Sequence, residues 1–319
     1  MNKVLVIGGA GYIGSHVAYE LLNEGYSVRI YDDFSNGLHR RVNEKFRDIV
    51  EGDILDREKL IEAMHGIDAV IHLAAKKAVG ESVTNPLKYY ENNVGGTLNI
   101  FAAMLAKKVK TIVFSSSAAV YSPNDKDAVE ESDATVPLSP YGATKLLSEQ
   151  LITSVGEAEK ISHISLRYFN VVGSAISEFG DNSKDNLVPK VFSALKSGNR
   201  PEIYGSSYPT PDGTCIRDYV HVADLCEAHW LALQSLAQGE GSQAYNLGNG
   251  DGFSVFEVID TVRKVTGREF TVKHETRRAG DPSRLVADSS AARQKLGWVP
   301  KYPSMQTIVE HAWAFEQRR

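Results

Sequence analysis

Cysteine is scarce in this sequence: a chain of 319 residues has two, Cys215 and Cys226. Two thiols cannot supply the disulfide framework of a small secreted domain, and so few are typical of a reducing cytoplasm. The first predicted strand begins at residue 3, so we expect no secretory leader. The sequence therefore predicts a cytoplasmic protein whose two thiols are buried as small apolar groups.

Long apolar runs and a strong net charge are also missing. No stretch approaches the roughly 18 consecutive apolar residues of a membrane-spanning helix. With 35 basic and 40 acidic residues the net charge at pH 7 is -5, which offers nucleic acid no basic surface. We therefore expect no membrane partner and no nucleic-acid partner, and we assign no residue to a metal site. A composition of 42% hydrophobic and 24% charged residues is that of an ordinary globular protein, long enough for two domains.

The first half of the chain alternates between strand and helix patterns. Short apolar runs predict strands over residues 3–8, 28–31, 49–50, 69–72, 111–114 and 164–168. Apolar residues at helical spacing predict helices over residues 12–24, 57–64, 86–107 and 141–155. Such alternation predicts an α/β fold built on a doubly wound parallel sheet of the Rossmann type.

The pattern changes near residue 171. Residues 174–186 are polar and acidic, and 205–213 form a turn-rich loop. A helix predicted over 222–236 and a strand over 244–247 then return to the main sheet. The predicted domains are a dinucleotide-binding domain, 1–170 with 218–250, and a smaller, irregular α/β substrate domain, 171–217 with 251–319.

A glycine-rich turn follows the first predicted strand and opens into the first predicted helix. Glycines allow backbone angles that a Cβ would forbid and let phosphates approach the amides closely. The positive end of the helix dipole adds attraction for an anion. The strand–turn–helix arrangement therefore predicts a pyrophosphate site. Its residues are Gly8, Gly11, Tyr12, Ile13 and Gly14.

An aspartate at the end of the second predicted strand indicates which dinucleotide binds. Asp32 lies 21 residues after Gly11, where a carboxylate accepts hydrogen bonds from the adenosine ribose. It would repel a 2′-phosphate, so NAD is favoured over NADP, although Arg40 and Arg41 are a mild counter-signal. Asp53, after the third strand, suits either the adenine amino group or a simple turn.

Tyr141 and Lys145 stand four residues apart on a predicted helix, which places both side chains on one face. A free tyrosine has a pKa near 10 and is a poor base at neutral pH. Lowering its pKa by roughly 3 units requires about 4 kcal/mol. One cation at about 4 Å in a partly dry site supplies energy of that order. The pair therefore predicts a tyrosine acid–base catalyst that a lysine activates.

Three serines follow the strand predicted over 111–114. The carboxyl ends of parallel strands are where ligands bind in such sheets. A hydroxyl there can hold the reacting oxygen beside Tyr141. We choose Ser117 for this role and expect Ser115 and Ser116 to be structural.

With these motifs the chain resembles the extended short-chain dehydrogenase/reductase family and, within it, the UDP-glucose (UDP-galactose) 4-epimerases. The matching motifs run in order through most of the chain. They are residues 8–16, 72–75, 77–82, 92–94, 115–121, 140–145, 166–170, 212–214, 217–222 and 277–281.

The resemblance implies a reaction and a set of roles. Tyr141 would take the proton from the sugar 4-hydroxyl and Ser117 would bridge it, while a hydride passes from C4 to tightly held NAD. The 4-keto sugar would then turn and receive the hydride on its other face. The cofactor residues implied are those of the glycine turn with Asp32, Asn36, Asp53, Ile54, Leu73, Ala74, Ala75, Lys77, Asn92, Tyr141, Lys145 and Tyr168. The substrate residues implied are Ser117, Tyr141, Asn170, Asn186, Leu187, Tyr204, Arg217, Tyr219, Arg278 and Asp281.

Two positions depart from the pattern of these epimerases. Ala119 stands where threonine is frequent, so one hydroxyl contact to the sugar is in doubt. Leu285 falls where a bulky aromatic residue restricts other members to glucose and galactose. Because leucine is smaller, we expect that N-acetylated sugars also fit.

Several alternatives remain open. The chain could act on UDP-glucuronate or a UDP-pentose, since the sequence does not fix what contacts C6 of the sugar. A nucleotide-sugar 4,6-dehydratase shares the fold, but dehydratases place Asp-Glu where this chain has Ala118-Ala119. A non-catalytic NAD-sensing regulator would not need Tyr141 and Lys145. We also expect a homodimer, paired through the helices predicted over 86–107 and 141–155.

Overall fold

Fourteen strands are found in the part of the chain that the structure describes. The structure is a computed structural model, and it describes residues 1–42, 46–122, 126–176, 178–278 and 281–319. The strands are β1 (Lys3–Ile7), β2 (Ser27–Asp32), β3 (Ile49–Glu51), β4 (Ala69–His72), β5 (Thr111–Ser115), β6 (Ser162–Tyr168), β7 (Asn170–Val172), β8 (Glu202–Tyr204), β9 (Ile216–Arg217), β10 (Tyr219–His221), β11 (Gln243–Leu247), β12 (Phe253–Ser254), β13 (Lys273–Glu275) and β14 (Arg284–Leu285).

Seven of these strands form one sheet in the order β3-β2-β1-β4-β5-β6-β11, and every pair in it is parallel. The side chains of successive residues of β1 lie on opposite faces of this sheet. Val4 and Val6 pack into one apolar cluster, while Leu5 and Ile7 pack into another. A sheet covered on both faces explains why these strands are continuous apolar runs rather than alternating ones. The predicted doubly wound α/β fold is confirmed.

Ten α-helices are described. They are α1 (Tyr12–Asn23), α2 (Arg57–Ala63), α3 (Val79–Thr84), α4 (Pro86–Tyr89), α5 (Gly96–Lys107), α6 (Pro140–Glu159), α7 (Leu187–Lys196), α8 (Val222–Ala237), α9 (Val255–Thr266) and α10 (Met305–Arg318). Helices α1 and α8 pack together on one face of the sheet, and α2 and α5 on the other. The strand predicted over 244–247 is β11 at one edge of the sheet.

The helix predicted over 86–107 is interrupted. The structure divides it into α4, a π-helical turn at Tyr90–Gly95 and α5. Periodicity could not show this, because one wide turn shifts the helix face by a fraction of a turn. The insertion turns Asn93 inward, where it is 3% exposed. Such π-turns are frequent at functional sites.

The C-terminal part has more regular structure than the sequence predicted. Helices α7, α9 and α10 surround an apolar cluster that includes Phe192, Val258 and Ile308. Helix α9 begins with a capping box of Ser254 and Glu257, which satisfies two amides that a helix start leaves free. Short strands complete this part in three small sheets: β7 with β10, β8 with β13, and β9 between β12 and β14.

None of the described helices combines the length and the apolar character that crossing a bilayer requires. Among the same residues no group of three or more His, Cys, Asp or Glu side chains is arranged to hold a metal ion.

Candidate active site

The glycine turn lies between β1 and α1, next to the carboxyl end of β4. Gly8 has a φ of 85°, and a Cβ there would lie 2.6 Å from the amide nitrogen of Ala74. A Cβ on Gly14 would lie 2.0 Å from the carbonyl oxygen of Gly8. Gly11 stands immediately before the first turn of α1. Side chains would fill this cradle, so its shape fits a pyrophosphate against the helix N-terminus.

The other predicted residues of the turn lie around this cradle. The amides of Leu73 and Ala74 both donate to Ile7 O, at 2.8 and 3.0 Å. This places the 73–75 segment beside the turn where β1 and β4 diverge, the crevice in which doubly wound sheets bind ligands. Ile13 and Tyr12 start α1, and the Tyr12 hydroxyl donates to Gly173 O at 2.6 Å.

Asp32 ends β2 and is 7% exposed. One of its carboxylate oxygens accepts from the amide of Ala10 and the other from that of Phe34, both at 2.9 Å. Each oxygen keeps a lone pair for a ribose hydroxyl. Burial raises the pKa of this carboxyl, and the two amide bonds oppose that rise. The backbone thus orients the carboxylate in advance.

The arginines that could have favoured a 2′-phosphate differ in position. Arg40 is exposed. Arg41 is buried, and its guanidinium donates to Gly180 O at 2.7 Å and to Asn182 Oδ1 at 3.1 Å. These oxygens would compete with a 2′-phosphate for the guanidinium, which agrees with the preference for NAD.

The predicted cofactor residues that follow β2 and β3 differ in exposure. Asn36 and Asp53 are exposed, and Asp53 Oδ1 accepts from the amide of Leu55 at 2.9 Å. Ile54 is buried in the apolar cluster under α5. The turn role considered for Asp53 is present in the structure, and its contact with adenine remains a prediction.

Tyr141, Lys145 and Ser117 come together at the carboxyl end of β5. The Tyr141 hydroxyl hydrogen-bonds with Ser117, the residue that caps a 3₁₀ turn at Ala118–Val120. Tyr141 is 9% exposed and Lys145 3%. Helix α6 starts one residue before Tyr141, with Ser139 as its cap and Pro140 in its first turn. A serine cap and an early proline favour a helix start at this point.

The electrostatics of this trio differ from the sequence-based expectation. Burial raises the pKa of Tyr141, and the bond with Ser117 opposes the rise. Burial lowers the pKa of Lys145 to about 8, opposed by the charge of Glu149. The Lys145 ammonium donates to Ser115 O at 2.7 Å. The chain alone therefore does not lower the pKa of Tyr141, because desolvation outweighs the hydrogen bond.

Three further predicted cofactor residues differ in how far they are buried. Tyr168 ends β6, and its pKa is raised by burial and by nearby Tyr141. Lys77 is exposed. Asn92 is half-buried and donates to the amide oxygen of Asn93 at 3.1 Å.

Arg217 and Arg278 lie in the C-terminal part with two other predicted substrate residues. Arg217 pairs with Asp281 at 2.5 Å and is 14% exposed. The guanidinium carbon of Arg278 lies 3.9 Å from the centre of the Tyr204 ring. Planar guanidiniums of this kind bind diphosphates with two parallel hydrogen bonds. A stacked guanidinium also keeps its donors free at the ring edge.

The remaining predicted substrate residues differ in their exposure to solvent and in their contacts. Asn170 is exposed, and its amide nitrogen donates to Asp218 O at 3.0 Å. Asn186 caps α7, where Leu187 begins, and donates to Asp181 Oδ2 at 2.6 Å. Tyr219, by contrast, is 3% exposed and packs on Phe253 in the apolar cluster of the C-terminal part.

Comparison with known proteins agrees with this geometry. The sequence profile of the NAD dependent epimerase/dehydratase family matches residues 4–248. The UDP-glucose 4-epimerase of Halalkalibacterium halodurans is 46% identical over 97% of this chain and 94% of its own length. The chain belongs to this family, among the UDP-glucose 4-epimerases.

Solved structures show the same likeness. The UDP-glucose 4-epimerase from Brucella ovis in complex with NAD is 42% identical, with a TM-score of 0.94 over 99% of both chains. The UDP-Glc/GlcNAc 4-epimerase from Campylobacter jejuni is 37% identical, with a TM-score of 0.87 over the full length of both.

The family name covers dehydratases as well as epimerases, and the turn after Ser117 bears on that distinction. Ala118 and Ala119 lie in the 3₁₀ turn directly after Ser117. Methyl groups there cannot transfer the protons that loss of water across C5 and C6 requires. Within the epimerase/dehydratase family the site therefore favours epimerisation.

Sequence reasoning missed two residues of this epimerase's site. Asn93 accepts from the Lys76 amide at 2.9 Å and donates to Thr144 at 2.9 Å, one residue before Lys145. Glu149 binds Ser116 and Arg167 beneath the catalytic trio. Its spacing of four residues from Lys145 was the available signal, but helical spacing alone does not distinguish a buried carboxylate from an exposed one.

Proposed function

We propose that the chain interconverts UDP-galactose and UDP-glucose by epimerisation at C4 of the hexose, with NAD as its cofactor. One observation carries this proposal: the hydrogen-bonded pair of Tyr141 and Ser117, with Lys145 beside it, lies at the carboxyl end of β5. There it is two strands along the sheet from the glycine cradle on β1. A sugar carbon could thus meet both the tyrosine hydroxyl and a nicotinamide ring.

Tyr141 is the acid–base group of this mechanism. NAD, held by the glycine turn and Asp32, would supply the acceptor for a hydride from C4 and its donor to the opposite face of the sugar. Tyr141 removes the 4-hydroxyl proton through Ser117 and later gives it back, so one group serves both half-reactions. Burial raises its pKa, so it works as a base only where neighbouring positive charge stabilises the phenolate. Lys145, on the same face of α6, would supply part of that charge, and the positive nicotinamide ring of bound NAD would add to it.

The two arginines serve a different purpose, which is to hold the nucleotide while the sugar turns. We propose that the UDP-sugar binds between a domain of 1–170 with 218–250 and a domain of 171–217 with 251–319. Arg217 and Arg278 would bind the diphosphate, and Asn170, Asn186, Leu187, Tyr204 and Asp281 would surround it. Firm binding of the nucleotide and loose binding of the hexose are what presentation of both sugar faces requires.

The range of sugars depends on Leu285. This residue is half-buried in β14 and packs against the cluster of Tyr121 and Phe169 that continues from the Ser117 turn. A leucine leaves room that an aromatic ring would fill, so we propose that UDP-N-acetylhexosamines are also substrates. Turnover of UDP-galactose with none of UDP-N-acetylglucosamine would contradict this part of the proposal.

The first experiment is a proton NMR time course of the purified enzyme with UDP-galactose and no added cofactor. UDP-glucose should appear and settle to an equilibrium mixture, because retained NAD is regenerated in every cycle. A 4-keto-6-deoxy product would instead show a dehydratase. If UDP-galactose did not change but UDP-glucuronate or a UDP-pentose were turned over, the enzyme would be an epimerase of those sugars instead.

We also propose a homodimer. Helices α3, α4 and α6 pack together and expose apolar side chains, of which Leu87 is 79% exposed, Val83 62% and Leu147 40%. An apolar patch of this kind is typical of a protein–protein contact. Leu87→Arg should shift the sedimentation coefficient to that of a monomer, whereas Val299→Arg, at an exposed site on another segment, should not.

A cytoplasmic location is proposed as well, because both cysteines are free thiols.

A further inference from the structure

The three serines that follow one another at the end of β5 are each bound to a different residue of one face of α6. The helix residues are spaced by four, so their side chains line a single face. The pairs, in order along the helix, are Tyr141 with Ser117, Lys145 with Ser115 O, and Glu149 with Ser116 Oγ. The first two pairs belong to the proposed mechanism, and the third does not.

Glu149 is held on its other side by Arg167 of β6. The Arg167 Nε lies 3.0 and 3.2 Å from the two carboxylate oxygens, and a terminal nitrogen donates to Oε2 at 2.7 Å. Glu149 is 7% exposed and Arg167 8%. Arg167 also donates to the Tyr121 hydroxyl at 2.9 Å. A carboxylate bound by a fork of donors has one fixed orientation, so the Ser116 hydroxyl is fixed with it.

The charge of Glu149 acts on Lys145, one helical turn away. The Lys145 ammonium is desolvated, and the negative charge of Glu149 favours keeping its proton. The other groups that face it carry no charge that would do so. They are the Phe114 ring of β5 at 4.8 Å and His72 of β4, whose burial lowers its pKa to about 3. Tyr141 stands one turn away on the same face of α6, and the positive charge of Arg167 is paired with Glu149.

Building on the proposed function, we propose that Glu149 is a positioning residue of the epimerase, which aligns Ser117 with Tyr141 through Ser116 and keeps Lys145 a cation. Each effect has its own physical route. The first is geometric, because Ser116 and Ser117 are adjacent on the chain. The second is electrostatic and acts through a buried, weakly screened space.

Three substitutions separate these routes. Glu149→Gln keeps an oxygen that can accept from Ser116 but removes the charge. Ser116→Ala keeps the charge but removes the link between β5 and α6. Glu157→Gln, on an exposed site of the same helix, is the matched control. We expect kcat to fall about 10-fold to 100-fold in Ser116→Ala, since displacing a catalytic group by about 1 Å costs that much. In Glu149→Gln kcat should fall where Lys145 has lost its proton, because that variant keeps the contact with Ser116 and loses only the charge. The control and the KM for UDP-galactose should stay close to wild type.

A readout independent of turnover comes from the lysine itself. In protein labelled with ¹³C at lysine Cε, the Lys145 signal can be assigned by its loss in Lys145→Arg, and its titration followed by NMR. It should titrate at lower pH in Glu149→Gln than in wild type. Ser116→Ala and Glu157→Gln should leave the titration unchanged. The alkaline limb of the kcat profile should move to lower pH in Glu149→Gln alone, because the ammonium is lost earlier.

Breaking a buried ion pair can prevent folding, because it leaves Arg167 charged and unpaired. If Glu149→Gln does not fold, the double substitution Glu149→Met with Arg167→Met removes both charges at similar volume. It should shift the Lys145 titration in the same direction but by less, because the more distant positive charge of Arg167 is lost as well. An unshifted titration together with a kcat of Ser116→Ala near that of wild type would overturn the role of Glu149. An inactive wild type, or an active Tyr141→Phe, would overturn the proposed function instead.

Discussion

The dinucleotide cradle and the arginine region hold their polar groups in different ways. In the cradle, backbone and close packing fix every group: Asp32 is bound by two amides, and a Cβ on Gly14 has no room. In the C-terminal part, Arg278 is exposed and rests on one aromatic ring, while Arg217 meets Asp281, itself 27% exposed. One region is preorganised by the backbone, and the other by long side chains.

This difference matches what each ligand must do in the proposed reaction. A cofactor regenerated in every cycle need not leave, so a rigid site costs nothing in turnover and adds affinity. A nucleotide sugar must enter, turn its hexose and depart. Side-chain contacts at the surface of the C-terminal part allow exchange while they still bind the diphosphate. The two regions should therefore respond differently to substitution.

The largest effect is expected at Tyr141, the proposed acid–base residue. Tyr141→Phe should lower kcat about 1,000-fold, since general acid–base catalysis contributes roughly 100-fold to 10,000-fold. Retained NAD and UDP affinity should stay close to wild type, because the residues that bind the pyrophosphate and the diphosphate are others. The NMR assay of turnover and chromatography of released NAD measure both. Tyr26→Phe, remote from the site, is the control, and full activity of Tyr141→Phe would refute its role.

The dinucleotide cradle is tested by Gly14→Ala. The added methyl would lie 2.0 Å from Gly8 O, so the turn must shift. NAD affinity should fall about 100-fold, close to 3 kcal/mol, and the protein should purify without cofactor. Gly241→Ala is the matched control, because a Cβ there meets nothing within 4 Å. NAD content equal to wild type in Gly14→Ala would show that the cradle is not preorganised.

The arginine region is tested by Arg278→Met, which removes the charge but keeps an apolar contact on Tyr204. UDP affinity should fall about 30-fold, near 2 kcal/mol for a charge-assisted hydrogen bond, with NAD content unchanged. Titration calorimetry with UDP measures the loss, and Arg318→Met at the C-terminus serves as control. If NAD content fell together with UDP affinity, the cradle and the arginine region would not bind their ligands independently.

The smallest effect is expected at Leu285, which contributes only space. Leu285→Tyr should lower kcat/KM for UDP-N-acetylglucosamine relative to UDP-galactose about 10-fold, the usual scale of discrimination by pocket size. Leu285→Met should leave the ratio near that of wild type. Competition between the two substrates in one NMR assay gives the ratio directly. An unchanged ratio in the tyrosine variant would place the selection of the sugar elsewhere.

Much of the cofactor side was predictable from local patterns. Strand β1, the turn and α1 are adjacent in sequence, so Gly8, Gly14 and Asp32 could be found from spacing alone. The substrate side was less accessible, because its residues are brought together from separate segments. The aromatic contact of Arg278 with Tyr204 spans 74 positions, and Tyr219 is buried in a core that the sequence did not predict.

The sequence by itself determined the sheet, the glycine cradle and the spacing of Tyr141 and Lys145 in the proposed catalytic trio, because each is encoded by periodicity or by fixed spacing along one segment. Only the tertiary structure decided how charges are distributed around that trio. The opposing effects of burial and of Glu149 on Lys145, and the π-turn that buries Asn93, depend on which side chains lose water when distant segments pack. Desolvation is a property of the whole fold, so no local pattern of residues could reveal it.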